Sequence, residues 1–147
     1  VLVRLTQTFT RRGYNIDSLV VSPAHDVAFS RITVVVQGEP SSYDQILRQL
    51  NKLVDVVHAT SHESADVVDR EMALFKVRVD PNQRAEIFQI VEVFRAKTVD
   101  ITDESLVIET TGDSLKIDAL EKLLGPMGLV EMVRSGKLIM KRGIEET

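Results

Sequence analysis

Apolar positions along this chain change period several times, and each change marks an element. Ile32, Val34 and Val36 alternate with Arg31, Thr33 and Val35, which predicts a strand over Phe29–Gln37 with one side solvated or facing a partner. Glu39-Pro40-Ser41-Ser42 reads as a turn followed by an N-cap, after which Ile46, Leu47, Leu50 and Leu53 give the buried stripe of a helix over Ser41–Lys52. Ile87, Ile90, Val91 and Phe94 do the same for a helix from Pro81 to Arg95, with Pro81 suited to its first turn behind Asp80 as N-cap.

The whole pattern then repeats. Leu53-Val54-Asp55-Val56-Val57 returns as Leu129-Val130-Glu131-Met132-Val133, each time after an amphipathic helix. The second copy reads as strand Glu71–Val79, helix Pro81–Arg95, strands Thr98–Thr102 and Ser105–Thr111, helix Asp113–Leu124 and strand Leu129–Arg134, which is βαββαβ. The first copy reads as helix Leu2–Arg12, strands Asn15–Ser22 and Phe29–Gln37, helix Ser41–Lys52 and strand Val54–Thr60. That is the same order without its first strand, and the repeat places roughly ten residues of strand, plus a loop, ahead of Val1.

The predicted class is α+β, two ferredoxin-like βαββαβ domains with helices on one face of an antiparallel sheet. They occupy residues 1–62, lacking the first strand, and 70–147, with a linker at 63–69. In this topology Asn15–Ser22 is an edge strand, and Leu19-Val20-Val21 holds no proline or lysine to discourage pairing. A second copy is expected to cover it, giving a homodimer with Asn15, Ser18, Leu19, Val20 and Val21 at the boundary.

The junction ahead of that strand is the most informative stretch. In Arg11-Arg12-Gly13-Tyr14-Asn15-Ile16-Asp17-Ser18-Leu19 the glycine can take the left-handed conformation that closes a helix, and the arginines complement the negative end of its dipole. Asn15 then sits at the mouth of a strand with a donor and an acceptor on one side chain. From the residues alone it is either an ordinary asparagine at the start of a strand or a reader of the charged groups of a small zwitterion.

A net charge of −4 and a pI near 5.4 exclude a dedicated nucleic-acid binder, which needs a concentrated basic field. The absence of cysteine removes disulfides, thiolate catalysis and thiolate-bound zinc, and fits a cytoplasmic protein. No apolar run approaches the roughly 18 residues of a membrane span. Partners are therefore expected among proteins and small molecules, with no nucleic acid and no membrane.

Catalytic and metal chemistry find little support. His58 and His62 are set in a predicted strand and in the linker, not on one helix face, and His25 is isolated, so no metal site is expected. Asp100, Asp103 and Glu104 lack the spacing and the glycine of a calcium loop. Ser18, Ser22 and Ser30 lack a nucleophile elbow and an orienting histidine, and the seven glycines form no phosphate cradle. Arg134, Lys137, Lys141 and Arg142 read as a solvated rim, with contact to an acidic partner as the alternative. No catalytic residue is assigned.

Arginine-glycine-aromatic-asparagine-isoleucine followed by serine-leucine, with Leu2, Arg4 and Leu5 upstream, resembles the start of the small regulatory subunit of acetolactate synthase, whose first domain is an ACT-type amino-acid sensor. Further similar runs follow in order: Gln49 to Val56, Arg70-Glu71-Met72-Ala73-Leu74, Ile87-Phe88, Phe94-Arg95-Ala96-Lys97, Arg134-Ser135-Gly136 and Lys141-Arg142-Gly143. The resemblance implies a non-catalytic subunit that dimerises through ACT domains and binds and activates a catalytic subunit. Thiamine diphosphate, magnesium and FAD belong on that catalytic subunit, and this chain carries no cofactor. Feedback inhibition by valine or another branched-chain amino acid is implied as well. Its effector site combines an asparagine and a glycine of the first strand–helix loop of one protomer with Asn15, and Ile16 beside it, of the other. The glycine falls just before Val1, and the effector-binding residues expected in this chain are Asn15, Ile16, Val1 and Leu2. The alternatives are an ACT-type sensor of a different biosynthetic enzyme, an acylphosphatase-like hydrolase and a metal-responsive transcriptional regulator. The last two lack, respectively, a donor-rich loop at Asp80-Pro81-Asn82-Gln83 and both a histidine cluster and a basic reading element.

Overall fold

The structure is a computed structural model that describes residues 1–147. Its chain separates into two units, Val1–Val68 with Ile139–Thr147, and Asp69–Leu138.

The second unit realises the whole βαββαβ pattern. β3 (Val67–Arg78) lies centrally, flanked by β5 (Ser105–Gly112) and β6 (Leu129–Arg134), with β4 (Lys97–Ile101) outside β5, all antiparallel. Strict alternation along β3 turns Ala73, Phe75 and Val77 inward. There they meet Leu106 and Ile108 of β5, Ile87 and Val91 of α3 (Arg84–Val93), and Ile117, Leu120 and Leu124 of α4 (Ser114–Leu124). Each fully buried Val, Leu, Ile or Phe among them stabilises the fold by about 1.5–3 kcal/mol. Asp113 caps α4, its carboxylate accepting the Lys116 N–H at 2.9 Å. Asp80 does not cap α3 as the sequence predicts. Its Oδ1 accepts from Asn82 N–H at 3.3 Å within a turn, and the helix starts only after Gln83.

The first unit carries α1 (Leu2–Arg11), β1 (Asn15–Pro23), β2 (Ser30–Gln37) and α2 (Tyr43–Asn51). β1 and β2 form a two-stranded antiparallel sheet, packed through Ile16, Ile32, Val34 and Val36 on Leu5, Phe9, Tyr14, Ile46 and Leu50. A short 3-10 turn at Pro40–Ser42 runs straight into α2, so no serine side chain caps that helix.

Two further expectations are corrected here. Val54–Thr60 is not a strand, and Val54 and Val57 are exposed. The equivalent strand of the second unit, β6, pairs with the first strand of its repeat, whereas Val54–Thr60 has no such neighbour to take its backbone hydrogen bonds. Asn51 supplies substitutes: its amide donates to the Ala59 carbonyl at 3.1 Å and accepts the Ala59 N–H at 2.9 Å. The second correction concerns the boundaries. The predicted linker 63–69 holds a 3-10 turn at Ser64–Asp66 and then the start of β3, and Ile139–Thr147 groups by compactness with the first unit. Within the first unit the Arg142 N–H reaches the Asp66 carbonyl at 3.0 Å.

Candidate functional site

The site predicted from sequence is built on the turn between α1 and β1. Gly13 has φ +75°, its N–H donates to the Thr10 carbonyl, and the Tyr14 N–H donates to the Phe9 carbonyl, both at 3.1 Å. Together these bonds close the end of α1 in a Schellman motif, which an L side chain at position 13 would strain. Asn15 leaves this turn as the first residue of β1, exposed, opposite Gln37 of β2. Ile16 beside it is half-buried and packs on the core of the unit.

Val1 and Leu2 stand at the other end of α1, exposed. A helix of 10 residues separates them from Asn15, about 15 Å at the helical rise. One protomer therefore does not bring the four predicted effector contacts together. They can meet only if Asn15 of one copy approaches the α1 N-terminus of another.

Of the predicted boundary residues, Leu19 and Val21 are exposed and Ser18 and Val20 half-buried. β1 pairs with β2 alone, so its other edge has no strand beside it in this chain. That edge is better guarded than its sequence suggests. The register shifts between Ile16 and Ser18, leaving Asp17 in a bulge, and the strand runs on to Pro23. Only the stretch from Ser18 to Ser22 offers a regular ladder.

Tyr14 and Gly38 escaped the sequence reading. Tyr14 is buried, its phenol donates to the Glu39 carbonyl, and its ring lies where a Cβ on Gly38 would overlap it. The pairing of a glycine before Glu39-Pro40 with an aromatic before Asn15 was the available signal.

Charges elsewhere behave differently from expectation. Arg134 is not part of a solvated rim: its guanidinium donates to buried Glu71 and, at 2.5 Å, to Asp118. Lys141 pairs with Glu145, and Lys137 lies 3.9 Å from Asp69. The acidic turn at Asp103 is held by Arg84, whose Nη2 donates to the carbonyls of Thr102 (2.6 Å) and Asp103 (2.9 Å). His62 Nε2 lies 3.2 Å from the Thr60 hydroxyl, His58 is exposed, and no cluster of three or more His, Asp or Glu gathers to hold a metal.

Residues 1–58 match a family profile described as an AHAS small subunit-like ACT domain, and residues 70–143 match one described as the small subunit of acetolactate synthase. The chain belongs to the acetolactate synthase small-subunit family. The small subunit of Mycolicibacterium smegmatis is 45% identical over 143 residues, spanning 97% of this chain and 84% of that protein. The Bacillus subtilis small subunit is 43% identical, spanning 99% and 86%. A crystal structure of the acetolactate synthase small subunit from Thermotoga maritima superposes with a TM-score of 0.88 at 38% identity, over 98% of this chain and 90% of that one. As a member of this small-subunit family, the chain has its ACT domain in the unit that carries Asn15. The profile for that domain ends at residue 58, inside the segment that lacks its strand partner.

Proposed function

We propose that the protein is the non-catalytic regulatory subunit of an acetolactate synthase. It binds the thiamine-diphosphate-dependent catalytic subunit, raises its activity, and makes that activity sensitive to valine or another branched-chain amino acid. Thiamine diphosphate, magnesium and FAD reside on the catalytic subunit, and this chain supplies no group to the reacting atoms. The observation that carries the reading is an ACT domain, matched as that of this small-subunit family, whose Asn15 stands exposed at the mouth of an edge strand.

An exposed primary amide can accept from the effector's ammonium and donate to its carboxylate. Pairing of two β1 edges would bring each Asn15 toward the Val1–Leu2 end of the other copy's α1. There the free N–H groups of a helix N-terminus favour a carboxylate. The effector would thus bind between two protomers in a homodimer, and its occupancy would be felt at the dimer interface.

The test is reconstitution. Mixed with a purified catalytic subunit from the same source and its cofactors, the protein is expected to raise the rate of acetolactate formation, and valine to reduce it again. The protein alone is expected to give no turnover. Acetolactate formation by this chain without the large subunit, or a mixture whose rate equals that of the large subunit alone, would overturn the proposal.

A further inference from the structure

The first rung of the β1–β2 ladder, Asn15 opposite Gln37, is cut off from most of the ladder by the bulge between Ile16 and Ser18. Strand pairing alone therefore gives the mouth of the sheet little rigidity, and another anchor has to hold it. Tyr14 is placed to do so. Its backbone is tied to α1 by the hydrogen bond to Phe9, and its side chain is only 4% exposed. Its phenol donates to the Glu39 carbonyl, and its ring lies on Gly38, the residue after Gln37. Tyr43 packs against it in a tilted arrangement, with ring centroids 5.6 Å apart and its hydroxyl 3.4 Å from the Gly38 carbonyl.

One side chain thus grips both ends of the rung. It is covalently next to Asn15, and it packs on the turn that carries Gln37. Gly38 is required because any side chain there would occupy the volume of the ring.

We propose that Tyr14 is a positioning residue for branched-chain amino-acid binding: its phenol holds the Gly38–Glu39 turn, and that turn fixes where the Asn15 amide projects. The inference rests on the reading of Asn15 as an effector contact. Without the phenol the turn gains freedom, Asn15 samples unproductive positions, and binding must restore the lost order.

The experiment is isothermal titration with valine on the full-length protein, as parent, Tyr14→Phe, Asn15→Ala and the double variant. Loss of one intramolecular hydrogen bond predicts about a three- to tenfold weaker affinity for Tyr14→Phe. Gly38→Ala, which displaces the ring, is expected to lose more. Because Tyr14 acts through Asn15, the double variant should bind no more weakly than Asn15→Ala alone. A Tyr14→Phe protein that melts earlier but binds valine as the parent does would make this a core tyrosine only and overturn the proposal, as would additive losses in the double variant. If Asn15→Ala itself binds like the parent, the effector reading fails first and the positioning role falls with it.

Discussion

Glu71 is buried at 5% exposure on β3, and its carboxylate accepts from Arg134 and, at 3.2 Å, from the Ser114 hydroxyl. The Glu71 hydrogen bond, ahead of the opposing desolvation and the Asp118 hydrogen bond, holds the Arg134 guanidinium above its ordinary pKa. A raised cation pKa gives stability that is complete below the unfolded value and lost only as pH climbs past the folded one, so the neutral range leaves this pair intact. Removing the cation does not. Arg134→Met is expected to destabilise the second unit by about 3 kcal/mol in urea unfolding, because it strands a buried carboxylate, and Glu71→Met on top of it should recover part of that loss. At the other residue of interest, Asn15→Ala should weaken valine binding by about 1.5–3 kcal/mol, the range for hydrogen bonds to charged groups. Titration of the two proteins measures it, and equal affinity would place the effector elsewhere.

At the scale of elements, the proposed homodimer is open to test. Ser18 to Ser22 is the part of the β1 edge left regular between the bulge at Asp17 and Pro23, and it carries exposed Leu19 and Val21. Lysine on an edge disfavours strand addition, so Val20→Lys and Val21→Lys are expected to shift the protein toward monomer in sedimentation. Two variants as dimeric as the parent would move the interface off β1. The turn into β6 supplies a second test. Gly128 has φ +105°, and a Cβ there would lie 2.5 Å from the Arg78 carbonyl, while its own carbonyl accepts the Arg78 N–H at 2.8 Å. Gly128→Ala therefore combines backbone strain with a backbone clash and should lower stability by on the order of 1–3 kcal/mol, read from the thermal midpoint of the second unit.

For the whole molecule, the two units differ in how much they bury. The second encloses Phe75, Ile87, Leu106, Ile108, Ile117, Leu120 and Leu124 at 0% exposure under a four-strand path. The first is built on a two-stranded sheet with a smaller core, whose members keep 3 to 7% exposure. Two-stranded sheets are marginal without further packing. Hydrogen exchange is accordingly expected to be faster in β1 and β2 than in β3 and β5, which should be protected up to the global stability. Deleting Ile139–Thr147 should speed exchange in the first unit further and leave β5 unchanged, because that tail belongs to the first unit. Faster exchange in β5 after the deletion would count against this division.

The sequence by itself determined whatever depends on near neighbours. The 3-4 spacing of Ile87, Ile90, Val91 and Phe94, the alternation around Val34, and the glycine at position 13 each act over a few residues, and each element they predict is present with ends shifted by a few residues at most. The repeat likewise made the βαββαβ order of the second unit legible before any coordinates. What only the tertiary structure decided depends on partners far along the chain. Val54–Thr60 has strand-like residues, but a strand requires a neighbour, and none lies beside it in this chain. The pairing of Glu71 with Arg134, the return of Ile139–Thr147 to the first unit and the seat of the Tyr14 ring on Gly38 leave no periodic trace, since nothing local selects them. They follow from which surfaces the assembled sheets bring together, and burial then sets which charges must pair and which position has room only for glycine.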